Sequence, residues 1–331
     1  MPLDLKALEG ALKGVSKNQD QLEIRRYLDT GFKPLNFIMS GDYHNGGVPE
    51  GQIVEIFGPS SCGKTTIATA VMKAAQQNDG LAMFMDHERS FNLNHARSLG
   101  VNTDSPLLTY LQPETWESSH DEAFEIADKM RSIVGFEPPI VLVFDSIAAM
   151  MPQSKMDKKL TEYTMNDYTA QARAISQTMQ SIEKTVAKLK LTVLYLNQIR
   201  LKPGVLYGDA STTPGGQAME FYATVRLSIS RTKLVDKATK TFLGQTISAK
   251  TVKNRVTRPF QTVDWDLKFA DNGLAYFDTI GSTLEHLKSL GKLEISADKK
   301  RINWQGKMLT FNQAIKTIEE EKQEELLFAM L

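Results

Sequence analysis

The stretch Gly58-Pro59-Ser60-Ser61-Cys62-Gly63-Lys64-Thr65 decides the fold. It has the form G-x-x-x-x-G-K-[ST], follows the short apolar run Ile53–Phe57, and leads into a helical pattern from Lys64 to about Asn78. Each part has a physical task. The glycines let the backbone curl so that its N–H groups point inward at phosphate oxygens. The N-terminus of the helix adds a partial positive charge. Lys64 reaches the β- and γ-phosphates, and the Thr65 hydroxyl can bind Mg²⁺. Thr66 completes the set of expected nucleotide contacts, while Cys62 occupies a free position and is given no chemistry. A chance Gly/Ser turn would lack the flanking strand and helix, so the expected cofactors are ATP and Mg²⁺.

Beyond this loop, apolar runs alternate with helical patterns. Leu81–Asp86, Ile140–Ser146 and Thr192–Gln198 read as strands, and about Glu117–Ile133 and Tyr168–Lys190 as helices. Buried strands separated by helices imply an α/β fold with a mostly parallel central sheet covered on both faces. After Phe221, the segments VRLSISRTK, TISAKTVKN and TVDWDLKF alternate in polarity, which predicts antiparallel strands appended to the sheet. The expected domains are an N-terminal helical arm over 1–32, an ATPase core over 33–273 and a small C-terminal α+β domain over 274–331. Gly41–Gly51 is dense in turn formers and reads as a linker into the core.

The bulk numbers exclude little. The chain has 331 residues, 41% hydrophobic and 24% charged, as in an ordinary soluble protein. Its 39 basic and 39 acidic residues cancel, so net charge identifies no partner. The single cysteine excludes an internal disulfide. With no signal-like start and no apolar run long enough for a membrane span, the cell interior is the expected compartment. The cluster Glu319–Glu325 reads as a solvated helix face.

Several polar residues stand at strand ends. Asp145 closes an apolar strand, where a carboxylate can lie beside the Mg²⁺ site. Asp86, His87 and Glu88 close another, and a carboxylate there can orient and deprotonate an attacking water. Charged residues also stand at strand ends without any such role. Gln198 ends a third strand, where its amide could sense the γ-phosphate. Two long loops are expected, over about Ser154–Tyr168 and Ile199–Gly215. The second holds Pro203, Gly204, Gly208, Pro214 and Gly215, which exclude regular structure, together with Arg200, Lys202 and Tyr207. Basic groups track phosphates and aromatic rings stack on bases, although a plain surface loop has a similar composition. Between Arg231 and Arg258 stand eight basic residues and only one acidic residue, Asp236. They suit either solvent or a phosphate-bearing partner.

In this order the motifs resemble the bacterial RecA recombinase family, over about Gly51–Phe260 and more loosely over Asp29–Gly41. The resemblance rests on GQIVEIFGPSSCGKTT, MDHE, LVFDSIAAM, LNQIRLKPGVLYGD, TTPGGQAMEFYATVRLSI and VKNRVTRPF. It implies a RecA-type core in which Glu88 is the hydrolytic glutamate, Asp145 lies on the magnesium strand and Gln198 is the nucleotide sensor. It implies that both loops bind DNA, with contacts from Arg200, Lys202, Tyr207, Thr212, Gly215 and Gly216, and from Arg173 and Ser176 on the following helix. Lys253 and Arg255, two apart and on one face of an extended strand, match a pair that reaches the γ-phosphate held by the adjoining protomer. Phe221 resembles an interface residue beside that junction. The chain departs from the family near the adenine, where His95 replaces a usual tyrosine and Asn92 an acidic residue. The C-terminal segment matches poorly and carries no long acidic tail. Such divergence is expected of a phage-encoded relative.

The implied function is an ATP-dependent recombinase forming a homo-oligomeric helical filament. Its DNA partners would be single-stranded DNA and homologous duplex, with room for single-strand-binding and loading proteins. The implied setting is the cytoplasm of a bacterium or a phage-infected cell. A hexameric helicase motor and a nucleotide-switched regulatory ATPase use the same core. The helicase usually needs a separate N-terminal domain, and the NQIR…TTPGG block favours the recombinase.

Overall fold

The computed structural model describes residues 24–164, 167–201, 211–236, 239–270 and 273–331. Most of the expected N-terminal arm, together with Lys202 and Tyr207, lies outside the described residues.

Fifteen strands are described. Tyr27–Leu28 (β1) pairs with Val48–Pro49 (β2). The central strands are Ile53–Gly58 (β3), Leu81–Asp86 (β4), Leu108–Leu111 (β5), Ile140–Asp145 (β6) and Leu191–Gln198 (β7). Arg200–Leu201 (β8) and Ser211–Thr212 (β9) form a short pair at the base of the second loop. Val225–Val235 (β10), Phe242–Asn254 (β11), Thr262–Phe269 (β12) and Ala275–Phe277 (β13) follow, then Arg301–Trp304 (β14) and Lys307–Thr310 (β15). Nine of them form the central sheet in the order β13-β12-β11-β10-β3-β7-β6-β4-β5. The run from β10 to β5 is parallel, and β11, β12 and β13 are added antiparallel at one edge.

Side-chain alternation divides the sheet into two cores. Val54, Ile56, Phe84, Val141, Val143, Leu194 and Leu196 share one with Ile67, Val71 and Met72 of the Lys64–Gln77 helix. Ile53, Met83, Met85, Leu142, Phe144 and Val193 share the other with the Trp116–Val134 and Asp167–Leu189 helices. A third core, with Leu284, Leu287, Ile302, Trp304 and Ile318, belongs to the C-terminal unit of helices around β14–β15. No helix among the described residues is long and apolar enough to cross a membrane.

The structure differs from the sequence expectations in several places. β5 and the Lys33–Ser40 helix were not anticipated, because both are short. The Gly41–Gly51 run is no free linker, since Val48 within it is buried and paired with Leu28. Leu28 and Phe32 sit in the main core, and β13 carries the central sheet to Phe277, so packing crosses the boundaries expected near 32 and 273. The Ser154–Tyr168 segment includes part of the Gln153–Met156 helix, a 3-10 turn over Leu160–Glu162 and the start of the long helix at Asp167. Lys158 Nζ lies 2.6 Å from Asp167 Oδ1, an ion pair that closes this segment onto the long helix.

Register does the most for function. Gly58 pairs with Gln198, and Asp145 pairs with Leu196 on one side and Asp86 on the other. The polar ends of β3, β7, β6 and β4 therefore emerge along one edge of the sheet, where the strand order puts a crevice. Beneath that edge lie two histidines. His87 Nε2 is 2.9 Å from Ser119 Oγ, and His120 contacts Trp116 O and Tyr195 Oη, each at 2.7 Å. Burial lowers the imidazole of His87 to about 4 and that of His120 to about 3.

Both histidines stay neutral in the folded protein while the unfolded chain takes up protons below about 6.5. Stability carried by their neutral forms is thus complete above that pH and is lost as pH falls toward the folded values. For His120 the loss between pH 8 and pH 5 should be about 2 kcal/mol. Urea unfolding of a His120→Gln variant should show a pH 8-to-5 decline smaller by that amount, whereas an unchanged decline would contradict the assignment.

Candidate functional site

The loop between β3 and the Lys64–Gln77 helix is built around close backbone approach. A Cβ on Gly58 would lie 2.3 Å from Ile229 O, and Gly63 opens the helix at φ 85°. Both positions exclude a side chain, one by space and one by backbone conformation. Lys64 is largely buried, and its ammonium donates to Gly58 O at 3.1 Å and Pro59 O at 2.7 Å. Cys62 packs beneath the loop with Sγ 2.9 Å from Pro59 O, and burial raises its thiol.

Two oxygen donors meet where this helix faces β6. Thr65 Oγ1 donates to Asp145 Oδ2 at 2.8 Å. Burial and then the neighbouring Glu88 carboxylate push Asp145 up to about 7, against the pull of Thr65 and Lys64. A hydroxyl and a carboxylate oxygen are the hard donors that Mg²⁺ accepts alongside water and phosphate. On the adjacent strand, the buried Asp86 Oδ1 has no hydrogen-bond partner among the described residues, while Oδ2 accepts from Phe91 N and Tyr110 Oη. This donor set fits the ion, with Thr65 and Asp145 as the residues that would hold it.

Glu88 stands between two strand ends. Its Oε1 accepts from Ser146 Oγ at 2.5 Å and from Gln198 Nε2 at 2.8 Å. The backbone N–H groups of His87 and Glu88 both donate to Asp145 O, which draws the turn after β4 onto the end of β6. The crevice holding these groups has a volume of about 520 Å³. Ser60, Ser61, Cys62, Gly63, Lys64, Thr65, Thr66, Glu88, His95, Asp145 and Gln198 line it. Ser90, Gln245, Leu267, Phe269 and Ala275 also line it, and sequence reasoning missed them. The last four belong to β11, β12 and β13, and no local motif in those strands marks them. Asn92 lines an adjoining space of about 200 Å³ with His95, Thr65 and Thr66. Its Oδ1 caps the Leu93–Ser98 helix by accepting from His95 N at 3.0 Å.

Part of the expected DNA surface is also brought together. Gly215 and Gly216 lie against Ile175 and Ala172 of the Asp167–Leu189 helix, on which Arg173 and Ser176 are exposed. Arg200 is exposed on β8 and paired in register with Thr212 of β9. Arg231 and Lys233 project from β10 and are exposed.

Lys253, Arg255 and Phe221 do not line the crevice of their own chain. They gather at the end of the Ala218–Tyr222 helix. Lys253 Nζ donates to Glu220 O at 2.5 Å and Phe221 O at 2.9 Å, and Arg255 Nη2 donates to Phe221 O at 3.0 Å. Cations suit these terminal carbonyls. Burial, then the charges of Arg255 and Arg226, lowers Lys253 to about 8. The Phe221 residue is 64% exposed, so an apolar ring stands beside two cations at the surface.

Comparisons with known proteins agree on one family. A family model described as the RecA N-terminal domain matches residues 6–274. Protein RecA of Syntrophus aciditrophicus is 38% identical over 226 residues, covering 68% of this chain and 62% of the relative. Protein RecA of Lactiplantibacillus pentosus is 36% identical over 269 residues, covering 80% and 68%. Protein RecA of a Synechococcus strain is 35% identical over 291 residues, covering 86% and 73%. The chain thus spans less than two thirds of the length of the first of these relatives.

Lys64→Ala removes the only ammonium in the loop. A lost charge-assisted contact of roughly 3 kcal/mol should weaken ATP binding by about 100-fold. Asp145→Asn should weaken binding of ATP with Mg²⁺ while changing Mg²⁺-free binding little. Titration with a fluorescent ATP analogue, with and without Mg²⁺, checks both outcomes, and unchanged affinity in Lys64→Ala would remove the phosphate site.

Proposed function

The chain belongs to the RecA family, and from that premise we propose that it is an ATP-dependent DNA recombinase. It assembles as a helical filament on single-stranded DNA, pairs that strand with homologous duplex and hydrolyses ATP as it does so. One observation carries the reading: Glu88 Oε1 accepts from Gln198 Nε2 at 2.8 Å, and Gln198 is the last residue of β7 before the second loop. One carboxylate in the crevice of the glycine-rich loop therefore touches the root of the segment that would meet DNA.

The roles follow from position. The backbone of Gly58–Thr65 and the Lys64 ammonium hold the β- and γ-phosphates. Thr65 and Asp145 hold Mg²⁺, which supplies positive charge to the phosphate oxygens when bound. Glu88 orients a water and takes its proton as the water oxygen bonds to the γ-phosphorus. The bridging oxygen leaves with ADP, and phosphate is released. Gln198 exchanges its bond to Glu88 for one to the γ-phosphate and so moves the loop behind it. His95 and Asn92 lie toward the base.

Arg200, Thr212, Gly215 and Gly216, with Arg173 and Ser176, contact DNA, joined by Lys202 and Tyr207. Lys253 and Arg255 reach the nucleotide of the next protomer, with Phe221 packed at that junction. The segment before β1 serves subunit packing, the ATPase core takes in Leu28, Phe32 and β13, and a small C-terminal unit follows. Single-strand-binding and loading proteins are natural partners for such a filament. Its setting is the cytoplasm of a bacterium or of a phage-infected cell.

Electron microscopy with ATP and single-stranded DNA should show open helical filaments, and rings or unassembled protein would overturn the reading. Glu88→Gln should bind ATP but lose turnover by about 100- to 10,000-fold, leaving long-lived filaments. Mixing Glu88→Gln with Arg255→Ala protein, each inactive alone, should restore some hydrolysis at junctions that pair an intact Glu88 with a neighbour's intact Arg255. Absence of recovery in filaments shown to be mixed would count against a cation acting in trans.

A further inference from the structure

A buried charged pair crosses the middle of the sheet. Register aligns Tyr195, Glu55, Arg226 and Lys253 in one row across β7, β3, β10 and β11. Glu55 is fully buried and Arg226 is 8% exposed. Arg226 Nε donates to Glu55 Oε2 at 2.6 Å, and Asn197 Nδ2 donates to Glu55 Oε1 at 2.8 Å. The pair is rarely neutral in its consequences: a buried ion pair stabilises no better than well-packed apolar side chains, yet losing one partner leaves an uncompensated charge. Its value therefore lies in what it holds in place.

What it holds lies at both functional ends of the protomer. On one side, Asn197 precedes Gln198, accepts from the Gln198 backbone N–H at 2.9 Å and donates to Pro214 O at 3.0 Å. Arg226 Nη2 donates to Thr213 Oγ1 at 3.3 Å, so Arg226 directly and Glu55 through Asn197 grip the exit of the second loop. On the other side, Arg226 Nη1 lies 3.3 Å from Glu220 Oε1, one residue before Phe221. The backbone carbonyls of Glu220 and Phe221 are those that Lys253 and Arg255 cap. The Arg226 guanidinium also lies over the Phe57 ring, 5.0 Å from its centroid, which fixes its plane. An unbroken polar path thus runs from the Gln198–Glu88 contact to the exposed cation corner.

We propose that Glu55 and Arg226 are positioning residues that tie the Gln198 end of a protomer's own nucleotide site to the Phe221–Lys253–Arg255 corner facing the next. Movement of Gln198 and the loop exit is delivered through the rigid pair to the Ala218–Tyr222 helix, and with it to the two cations. This rests on the filament reading above, since the corner acts on a neighbour's nucleotide only there.

The test uses full-length protein and two variants. In Glu55→Met/Arg226→Leu the pair is replaced by apolar side chains of similar volume, which keeps the core filled and breaks the path. In Arg226→Lys a charge remains but the fork that joins Glu55, Thr213 and Glu220 is lost. ATP affinity and DNA-free turnover should stay within about threefold of wild type. The Hill coefficient for ATP in DNA-dependent turnover should fall to about 1, and stimulation by DNA should drop at least about tenfold. A structural role alone would lower thermal stability without separating these readouts. Wild-type-like cooperativity in a folded variant overturns the proposal, and Arg226→Lys decides it if the double variant does not fold. Wild-type protein lacking cooperative, DNA-stimulated turnover would instead overturn the filament reading itself.

Discussion

The in-register backbone ladder of β3, β7, β6 and β4 is the constraint on which the rest depends. Four parallel strands end together, so Gly58, Gln198, Asp145 and Asp86 lie along one edge of the sheet although long helices separate them in the chain, and Gln198 and Asp145 line the crevice there. A slip of one residue would send each strand's side chains to the opposite face. It would exchange Val141 and Val143 with Leu142 and Phe144 between two cores and carry Asp145 away from Thr65. The apolar packing of both faces therefore protects the chemistry at the edge. It does so without contributing any atom to that chemistry.

Charge at that edge is unbalanced. Asp86, Glu88 and Asp145 crowd the ends of two neighbouring strands, and Lys64 is the cation within the loop. Burial and the Glu88 carboxylate hold Asp145 up to about 7, so it waits for a positive partner. A triphosphate alone would add to the repulsion, and a divalent ion arriving with it would relieve both. The Lys64 ammonium, bonded to loop carbonyls at 3.1 and 2.7 Å, keeps the loop curled until phosphate oxygens replace those carbonyls. At such a site a nucleotide and a divalent ion would be physically interdependent.

The antiparallel edge, β11 to β13, with the strand β10 that joins it, is more than a cover for the sheet. It brings Gln245, Leu267 and Phe269 to the crevice and sets Lys253 beside Arg226 in the row that crosses the centre. Through this edge the nucleotide site and the cation corner share one continuous sheet. Charges buried in the middle of a sheet are costly to desolvate, and removing one partner of such a pair leaves the other uncompensated.

The sequence by itself determined the phosphate loop, the alternation of strands and helices, and the residue types at the strand ends. These are local properties: a loop's backbone conformation and a segment's side-chain period depend on residues close in the chain. Glu88, Asp145 and Gln198 were legible as candidates for the same reason. Their meeting was not, since Glu88 and Gln198 are 110 residues apart and only strand order brings them within 2.8 Å. Glu55 lies inside a run read as apolar and Arg226 inside one read as alternating, and nothing local in either segment points to the other. The same holds for Gln245 and Phe269, and for the closure of β13 onto the core. Tertiary structure decided these partnerships, because pairing order and register are set by packing summed over the whole sheet, which no single segment encodes.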